Sequence, residues 1–577
     1  MDETAGGGTI GLCVAPDPPP NAARSCSCPA YAREILAHAG LFMEEVQPGG
    51  LEAWLRDGAS RVLLMAGDHR LGETQAAALE CWCAEGRALV GVGSAMEAGG
   101  VWGVEPENPP AGWAVGAMTA GEGYIEPIEP EHPIMAGLRS RLHHFNGAAV
   151  RAVQATAIAR LLDSHARPTS RAAVTVRHIG RGAAVLIAPD LPGAVEAIQF
   201  GRHIDRDGVP APDGTAPLSD GVLKAEDGIV LDWTLDRDTV PGVPYPLFLH
   251  PVADELREVL LRAILFAARA VRAPLRLLWR HPDGAPARAH LSHDSDGNDP
   301  GAGLALLEVV RDLGLRNTWC IQPPGYPRSF CEELLSAGQE IALHFDALEQ
   351  GEGSLWTEDC LARQYEAITR LAAPQPVVTN KNHYTRWEGR TGFLRWCAAQ
   401  GIRCDQSRGP TKRGDSGFPF GTALPHFAME ADGSAIDCLE LGFLSQDFVV
   451  TLPLAAMEPL VDSVARVHGI AHVIFHPAHI RSPGVEAGLR AFVDACRRRE
   501  MPLGTAAEIA GWERARRSAR LTRCAAGWQL EAPAPLQGAT VLSLLPEGAP
   551  ADVERWGFGF AVSEGYAGPE GPLRLRA

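Results

Sequence analysis

Asp294-Ser295-Asp296 follows the short apolar run Ala289-His290-Leu291. Two carboxylates at i and i+2, leaving a strand end, can face one pocket. One then holds a divalent metal while the other takes a proton from water. The competing reading is an Asx-turn that only reverses the chain, helped by Gly297, Asn298 and Asp299. His344 closes the apolar run 341–343, and imidazole is the commonest zinc ligand and also suits Ni and Co. His383 follows Val377-Val378, within Asn380-Lys381-Asn382-His383-Tyr384-Thr385-Arg386-Trp387. That stretch is polar, cationic and aromatic together, so Asn382, Arg386 and Trp387 suit hydrogen bonding and stacking against a sugar. Asp405 follows Cys404, and His476 ends the run 473–475 just before Pro477. An imidazole with an ordinary pKa of ~6.5, fixed there, suits a general acid. His479 reads as a turn residue or a partner behind it.

The elements around these residues repeat one pattern. An amphipathic run ends at Gly, and a short apolar run follows at once: 304–313, Gly314, 317–321; 330–337, Gly338, 340–343; 393–400, Gly401, 402–404; 457–468, Gly469, 472–475. The Gly is the left-handed helix stop and the strand follows it. Repeats of this kind build a doubly wound sheet or a barrel. Parallel α/β barrels assemble their sites at the C-terminal ends of strands. Asp294, Asp296, His344, His383, Asp405 and His476 all fall at such ends. Their expected convergence on one mouth argues for chemistry more strongly than any single residue does.

Taken in this order, the pieces within 289–512 resemble the NodB-type polysaccharide deacetylases, carbohydrate esterase family four. Leu291-Ser292-His293-Asp294-Ser295-Asp296 is similar to the family's opening motif. Gly338-Gln339-Glu340-Ile341-Ala342-Leu343-His344 resembles the approach to its metal histidines, and Val473-Ile474-Phe475-His476-Pro477 its last motif. Cys404-Asp405-Gln406-Ser407 and Gly417-Phe418-Pro419-Phe420-Gly421-Thr422 resemble the loops that shape its sugar site. The resemblance implies an irregular β/α barrel that removes acetyl groups from N- or O-acetylated sugars. It implies Asp294 as base, Asp296 and His344 as metal ligands, and His476 as acid. It implies a substrate site with Asn382, Arg386, Trp387 and Asp405 around it. The family's second metal histidine, four residues after the first, is replaced by Leu348, which binds no metal. His383 is the expected third ligand and Asp346 the alternative. The family's Arg-before-Pro motif is also absent, and 380–387 stands in its place. One hard oxygen with borderline nitrogens fits Zn, and also Co, Ni or Mn, better than Ca or Mg. Zinc is the expected ion.

The first part of the chain alternates strand and helix: 9–14, 31–38, 61–65, a helix from a Thr74 cap to Glu85, then 88–92. This predicts a flavodoxin-like parallel sheet. β insertions follow, with Gly180-Arg181-Gly182 turning 173–177 back on 183–187. A helix at 253–270 and Pro274, Pro282 and Pro286 mark a boundary. Met65-Ala66-Gly67 and Leu89-Val90-Gly91-Val92-Gly93 resemble the class I glutamine-amidotransferase-like fold, nearest the trimerisation domain of some β-galactosidases. Its nucleophilic elbow here reads Gly91-Val92-Gly93-Ser94-Ala95, with no Cys. That implies a non-catalytic domain for homo-oligomer assembly or substrate shaping. The expected domains are therefore 1–275, 285–515 and a small β appendage at 519–577.

Composition limits the partners. The chain has 577 residues, 46% hydrophobic and 21% charged, with a net charge of −18. Such a surface repels nucleic acid and anionic membranes and suits a carbohydrate or another small neutral molecule. No apolar run reaches the ~20 residues needed to span a bilayer. The first residues carry no basic-then-apolar leader, so the expected location is cytoplasmic. Thirteen cysteines, an odd number scattered through helices and strands, read as reduced thiols, and Cys26/Cys28 and Cys81/Cys83 lack a second ligand pair. Two rival functions remain. A metal-free sugar-binding or assembly protein would explain Leu348. A glycosidase would need two carboxylates ~5–10 Å apart across a sugar, and Asp294 and Asp296 are close in sequence for that.

Overall fold

The computed structural model describes residues 9–15, 29–69, 71–93, 99–107, 121–218, 221–348, 354–430, 432–525 and 527–576. Ser94, Cys26 and Cys28 lie outside the described residues. Two compact units emerge: 1–197 with 255–284 and 514–577, and 198–254 with 285–513. The expected boundaries fall elsewhere. Segment 198–254 clusters with the second unit, tied to it by backbone bridges Ile204–Gly389, Lys224–Arg386 and Phe248–Gly417. The C-terminal β strands cluster with the first unit. Their main sheet is completed by Arg276–Leu278, which pairs with Leu536–Leu544.

In the first unit, Val62–Ala66 and Ala88–Val92 are buried along their whole length. Continuous apolar pentads of this kind suit parallel strands covered on both faces. They lie in the sheet order Phe42–Glu45, Thr9–Val14, Val62–Ala66, Ala88–Val92, Gly182–Ile187, all parallel. Pro168–Ile179, Thr156–Asp163, Gly123–Pro127 and Leu142–His144 extend it antiparallel. The hairpin expected at Gly180 is present, with Ile179 opposite Gly182. The expected Thr74 cap is not. The helix begins at Glu73 behind extended Gly72, so Thr74 sits inside its first turn. Met65, Leu79, Trp82, Leu89, Trp102 and Leu186 share one core cluster.

In the second unit a nine-stranded sheet runs His426–Met429, Ala435–Glu440, Cys404–Asp405, Thr379–Asn382, Glu340–Phe345, Thr318–Ile321, Arg288–Asp294, Ile470–Ile474, Ser445–Gln446. Every neighbour pair is parallel except the first. The barrel expected from the repeats is an open, curled sheet. Among the described residues its two edge strands, His426–Met429 and Ser445–Gln446, do not pair with each other. Helix stops follow the predicted pattern at Gly314 (φ 66°), Gly338 (φ 71°) and Gly401 (φ 87°). At the fourth repeat His468 (φ 55°) takes the left-handed position instead. Gly469 answers a different need, since a Cβ there would meet the Ala423 Cβ at 2.6 Å.

Strand alternation then sorts the polar interior. On Arg288–Asp294, residues His290, Ser292 and Asp294 share one face. Ser292 and His290 meet His472 from the neighbouring strand there. His293 points the other way and packs against Trp319, ring centroids 4.9 Å apart. No described helix is long and apolar enough to cross a membrane.

Candidate metal centre

Asp294 is the last residue of its strand, and Asp296 opens the turn Asp296–Asn298 that follows, with Gly297 at φ 74°. His344 lies one residue before the end of Glu340–Phe345, and His383 directly follows Thr379–Asn382. The strand before His383 is thus 379–382, not the apolar pair Val377-Val378. One ligand atom from each of Asp296, His344 and His383 lies within 4.8 Å of the others. His344 Nε2 is 3.2 Å and His383 Nε2 3.7 Å from Asp296 Oδ1.

Hydrogen bonding fixes which nitrogen faces inward. His344 Nδ1 is 3.0 Å from the Lys381 carbonyl, which only accepts. Nδ1 therefore carries the hydrogen, and in the neutral ring Nε2 presents a lone pair to the Asp296 carboxylate. Two lone-pair groups 3.2 Å apart need a cation between them, either a proton or a metal ion. Behind His383, its Nδ1 lies 3.3 Å from Asp346 Oδ1, and Gln322 Nε2 donates to the other oxygen of that carboxylate at 2.8 Å. A carboxylate on the far nitrogen of a histidine orients the ring and raises its basicity as a ligand. Asp346, the alternative ligand, stands behind His383. Burial opposes charge on the His344 imidazole, yet Asp294 and Asp296 together raise its pKa. Burial likewise opposes ionisation of Asp296, but the His344 hydrogen bond and the nearby imidazoles hold its pKa far below the usual carboxylate range. The described donors, one carboxylate oxygen and two imidazole nitrogens, match the three-ligand composition of catalytic zinc-type sites.

Two further groups flank this cluster. Asp294 is buried, its Oδ1 makes no hydrogen bond, and the Lys381 ammonium lies 3.2 Å away. Lys381 also donates to Ser292 Oγ, which lies 2.8 Å from His472 Nε2. His476 Nε2 comes within 3.8 Å of Asp296 Oδ2. On its other side His476 Nδ1 is 2.6 Å from Asp447 Oδ2, and the His476 amide donates to Asp447 Oδ1 at 2.8 Å. Burial lowers the His476 pKa, but Asp447, Asp294 and Asp296 outweigh it and raise it to about 9. His479 Nδ1 shares the same Asp447 oxygen at 2.8 Å, so His479 is a partner of the pair.

The structure brings together Asp294, Asp296, His344, His383 and His476. It does not bring the four expected substrate residues to an open surface. Trp387 is fully buried, its Nε1 donates to the Arg390 carbonyl, and the Arg408 guanidinium covers its ring at 4.3 Å. A ring in the core cannot stack a sugar. Arg386 is buried and donates to the Leu223 carbonyl and to Glu388. Asn382 is buried between Ser407 and the Arg386 carbonyl. Asp405 is buried and accepts from Asn380 and Ser407. All four support the loops from within. Sequence reasoning missed Asp447 and Lys381. Asp447 follows the two-residue strand Ser445–Gln446, too short to register as a strand end. Lys381 sits inside a strand that its Asn neighbours make look like a surface loop.

No family model matches the chain, and no curated protein matches it in sequence. Among solved structures, a Mycobacterium smegmatis protein assigned as a polysaccharide deacetylase is similar over 41% of this chain and 93% of its own, at 19% identity and TM-score 0.32. A family 4 acetyl xylan esterase from Clostridium thermocellum, in complex with a cobalt ion, is similar over 38% of this chain and 89% of its own, at 10% identity and TM-score 0.26. A β-galactosidase from Bacillus circulans sp. alkalophilus is similar over 34% of this chain and 31% of its own, at 13% identity and TM-score 0.24. Structures of deacetylases and of a family 4 esterase are therefore among those to which this chain is similar, each match leaving more than half of the chain outside it.

Proposed function

We propose that the second unit is a metal-dependent hydrolase that removes an acetyl group from an N- or O-acetylated carbohydrate. The observation that carries this reading is the donor geometry: the His344 Nε2 lone pair and His383 Nε2 both face Asp296, with the far nitrogen of His344 on the Lys381 carbonyl and that of His383 between Asp346 and Gln322. Asp296, His344 and His383 would hold the ion. A bound divalent ion supplies Lewis-acid polarisation of the acetyl carbonyl and a lower pKa for water. Asp294 accepts the proton of the attacking water at its carboxylate, and Lys381 holds that carboxylate in place. His476 donates a proton from Nε2 to the departing amine or alcohol, and Asp447 fixes its ring through Nδ1. The products are acetate and the free amine or hydroxyl of the sugar.

The test uses full-length protein loaded in turn with zinc, cobalt, nickel or manganese. Acetate release from N-acetylglucosamine oligomers and from acetylated xylan is followed, with chelator-stripped protein as control. Acetate formed only by the loaded protein is expected. Reducing ends formed without acetate would instead favour a glycosidase. Uptake of metal with neither product would remove the acetylated carbohydrate as substrate.

A further inference from the structure

Two consecutive non-glycine residues beside the candidate centre, Tyr384 (φ 57°) and Thr385 (φ 52°), adopt the left-handed conformation. Each such residue costs on the order of 1–3 kcal/mol and persists only where its surroundings over-determine it. The surroundings here come from outside the strand repeat. Thr385 Oγ1 lies 3.0 Å from Glu226 Oε2 and 2.6 Å from the Tyr384 carbonyl, so its one hydrogen is shared between them, and the other Glu226 oxygen accepts from Thr411. The Trp387 amide donates to the Leu223 carbonyl at 3.0 Å, and Lys224 forms a backbone bridge with Arg386. The Lys224 ammonium also lies 5.2 Å from the centre of the Tyr384 ring. Glu226 is buried, whereas Tyr384 is 54% exposed and its ring meets that of His383 at 4.8 Å between centroids.

We infer that segment 222–228 is a clamp on the turn 383–385, with Glu226 as its positioning residue. The clamp seats His383 toward Asp296 and displays the Tyr384 ring at the rim, where an aromatic face can pack against the C–H face of a sugar ring. The seating role rests on the metal reading above; the clamp itself does not. Glu226 touches none of the metal donors, so it acts only through the turn.

The test compares wild type, Glu226→Gln, Glu226→Ala and the double variant Glu226→Ala/Tyr384→Gly. Two readouts are used. One is amide hydrogen exchange of 382–388 in metal-free protein. The other is zinc affinity by chelator competition. Glu226→Ala is expected to speed exchange there and to weaken zinc about tenfold, the lower end of outer-shell effects. Glu226→Gln keeps an oxygen for Thr385 and is expected to stay within threefold of wild type. Tyr384→Gly removes one strained residue and is expected to recover part of the lost affinity. Unchanged exchange in Glu226→Ala would overturn the clamp. Faster exchange with unchanged zinc affinity would overturn the seating role. A wild type that binds no zinc, with exchange still faster in Glu226→Ala, would overturn the metal reading and the seating role with it, and leave the clamp supported.

Discussion

At the scale of single residues, the centre depends on which atoms have partners. His383 has its Nδ1 against Asp346 and its Nε2 free to face Asp296, so its removal deletes a donor and leaves two. His383→Ala is expected to lose metal and activity together, read as metal stoichiometry after dialysis. Asp346→Asn keeps every donor and loosens only the orientation of His383, so it should retain stoichiometry with affinity lower by about 10–100-fold. Full metal occupancy in His383→Ala would require another third ligand. Lys381 poses a separate question. It is buried beside Asp294, whose Oδ1 makes no hydrogen bond. Breaking a buried ion pair on one side costs about 3–5 kcal/mol, because the remaining charge stays uncompensated. Lys381→Met should lower stability by that order in urea unfolding and cut turnover at least about 100-fold. It should still bind metal, since the contribution of Lys381 to His344 is its backbone carbonyl. Metal lost in parallel with activity would mean that Lys381 shapes the ion site itself.

At the scale of elements, a left-handed stop precedes the strands that lead to His344 (Gly338), Asp405 (Gly401) and His476 (His468), whereas helix Glu358–Ala372, ahead of the His383 strand, ends at Ala373 without one. Gly401 is such a stop, and a Cβ there meets only the Tyr365 hydroxyl, at 3.8 Å. Space therefore permits Gly401→Ala, and backbone strain alone opposes it. The expected cost is about 1 kcal/mol, seen as a lower urea midpoint with unchanged slope. This local signal is why the strand repeat was legible in the sequence: a helix stop and an apolar strand lie within a few residues of each other. His468 was not legible as the fourth stop, because Gly469 beside it is required for a different reason, its close approach to Ala423. The site donors were legible for the same local reason, each standing at or just past a strand end. What local pattern could not supply is which polar residues turn inward. Trp387 and Arg386 look like a binding loop in sequence, yet segment 222–228 covers them, and that pairing spans some 160 positions. Open closure of the sheet was equally invisible, since it depends on edge strands of only two and four residues.

At the scale of the molecule, pH acts on the second unit through histidines that its interior keeps neutral. His293 has both nitrogens engaged: Nδ1 on the Phe475 carbonyl at 2.9 Å and Nε2 facing the Asn317 amide at 3.1 Å. His290 places Nδ1 on the Gly504 carbonyl at 2.9 Å and Nε2 against the Gln406 side-chain oxygen Oε1 at 2.8 Å. A protonated His293 would have to donate where the Asn317 amide already donates, and although both partners of His290 are oxygens that accept from it, either ring would carry its charge into the buried interior. Burial accordingly lowers both pKa values to about 4. In the unfolded chain each returns to ~6.5. Between these values the unfolded state binds more protons than the folded one, so stability falls as pH falls from about 6.5 toward 4. Below that both states are protonated, and these two residues cause no further loss. A shift of this size corresponds to roughly 3 kcal/mol per residue. Carboxylates with lowered pKa values, Asp447 and Asp346 at about 2, would add their loss only at lower pH. Hydrogen exchange of strands Arg288–Asp294 and Ile470–Ile474 should therefore report opening that becomes easier from pH 7 to pH 5, well before the carboxylates titrate. Replacing His290 by Gln removes one of three such groups, the third being His472, whose pKa burial also holds well below the ordinary ~6.5, and should make the dependence on pH shallower by about a third, whatever it does to stability at pH 7. A slope unchanged in His290→Gln would mean that acid sensitivity in this range comes from other groups.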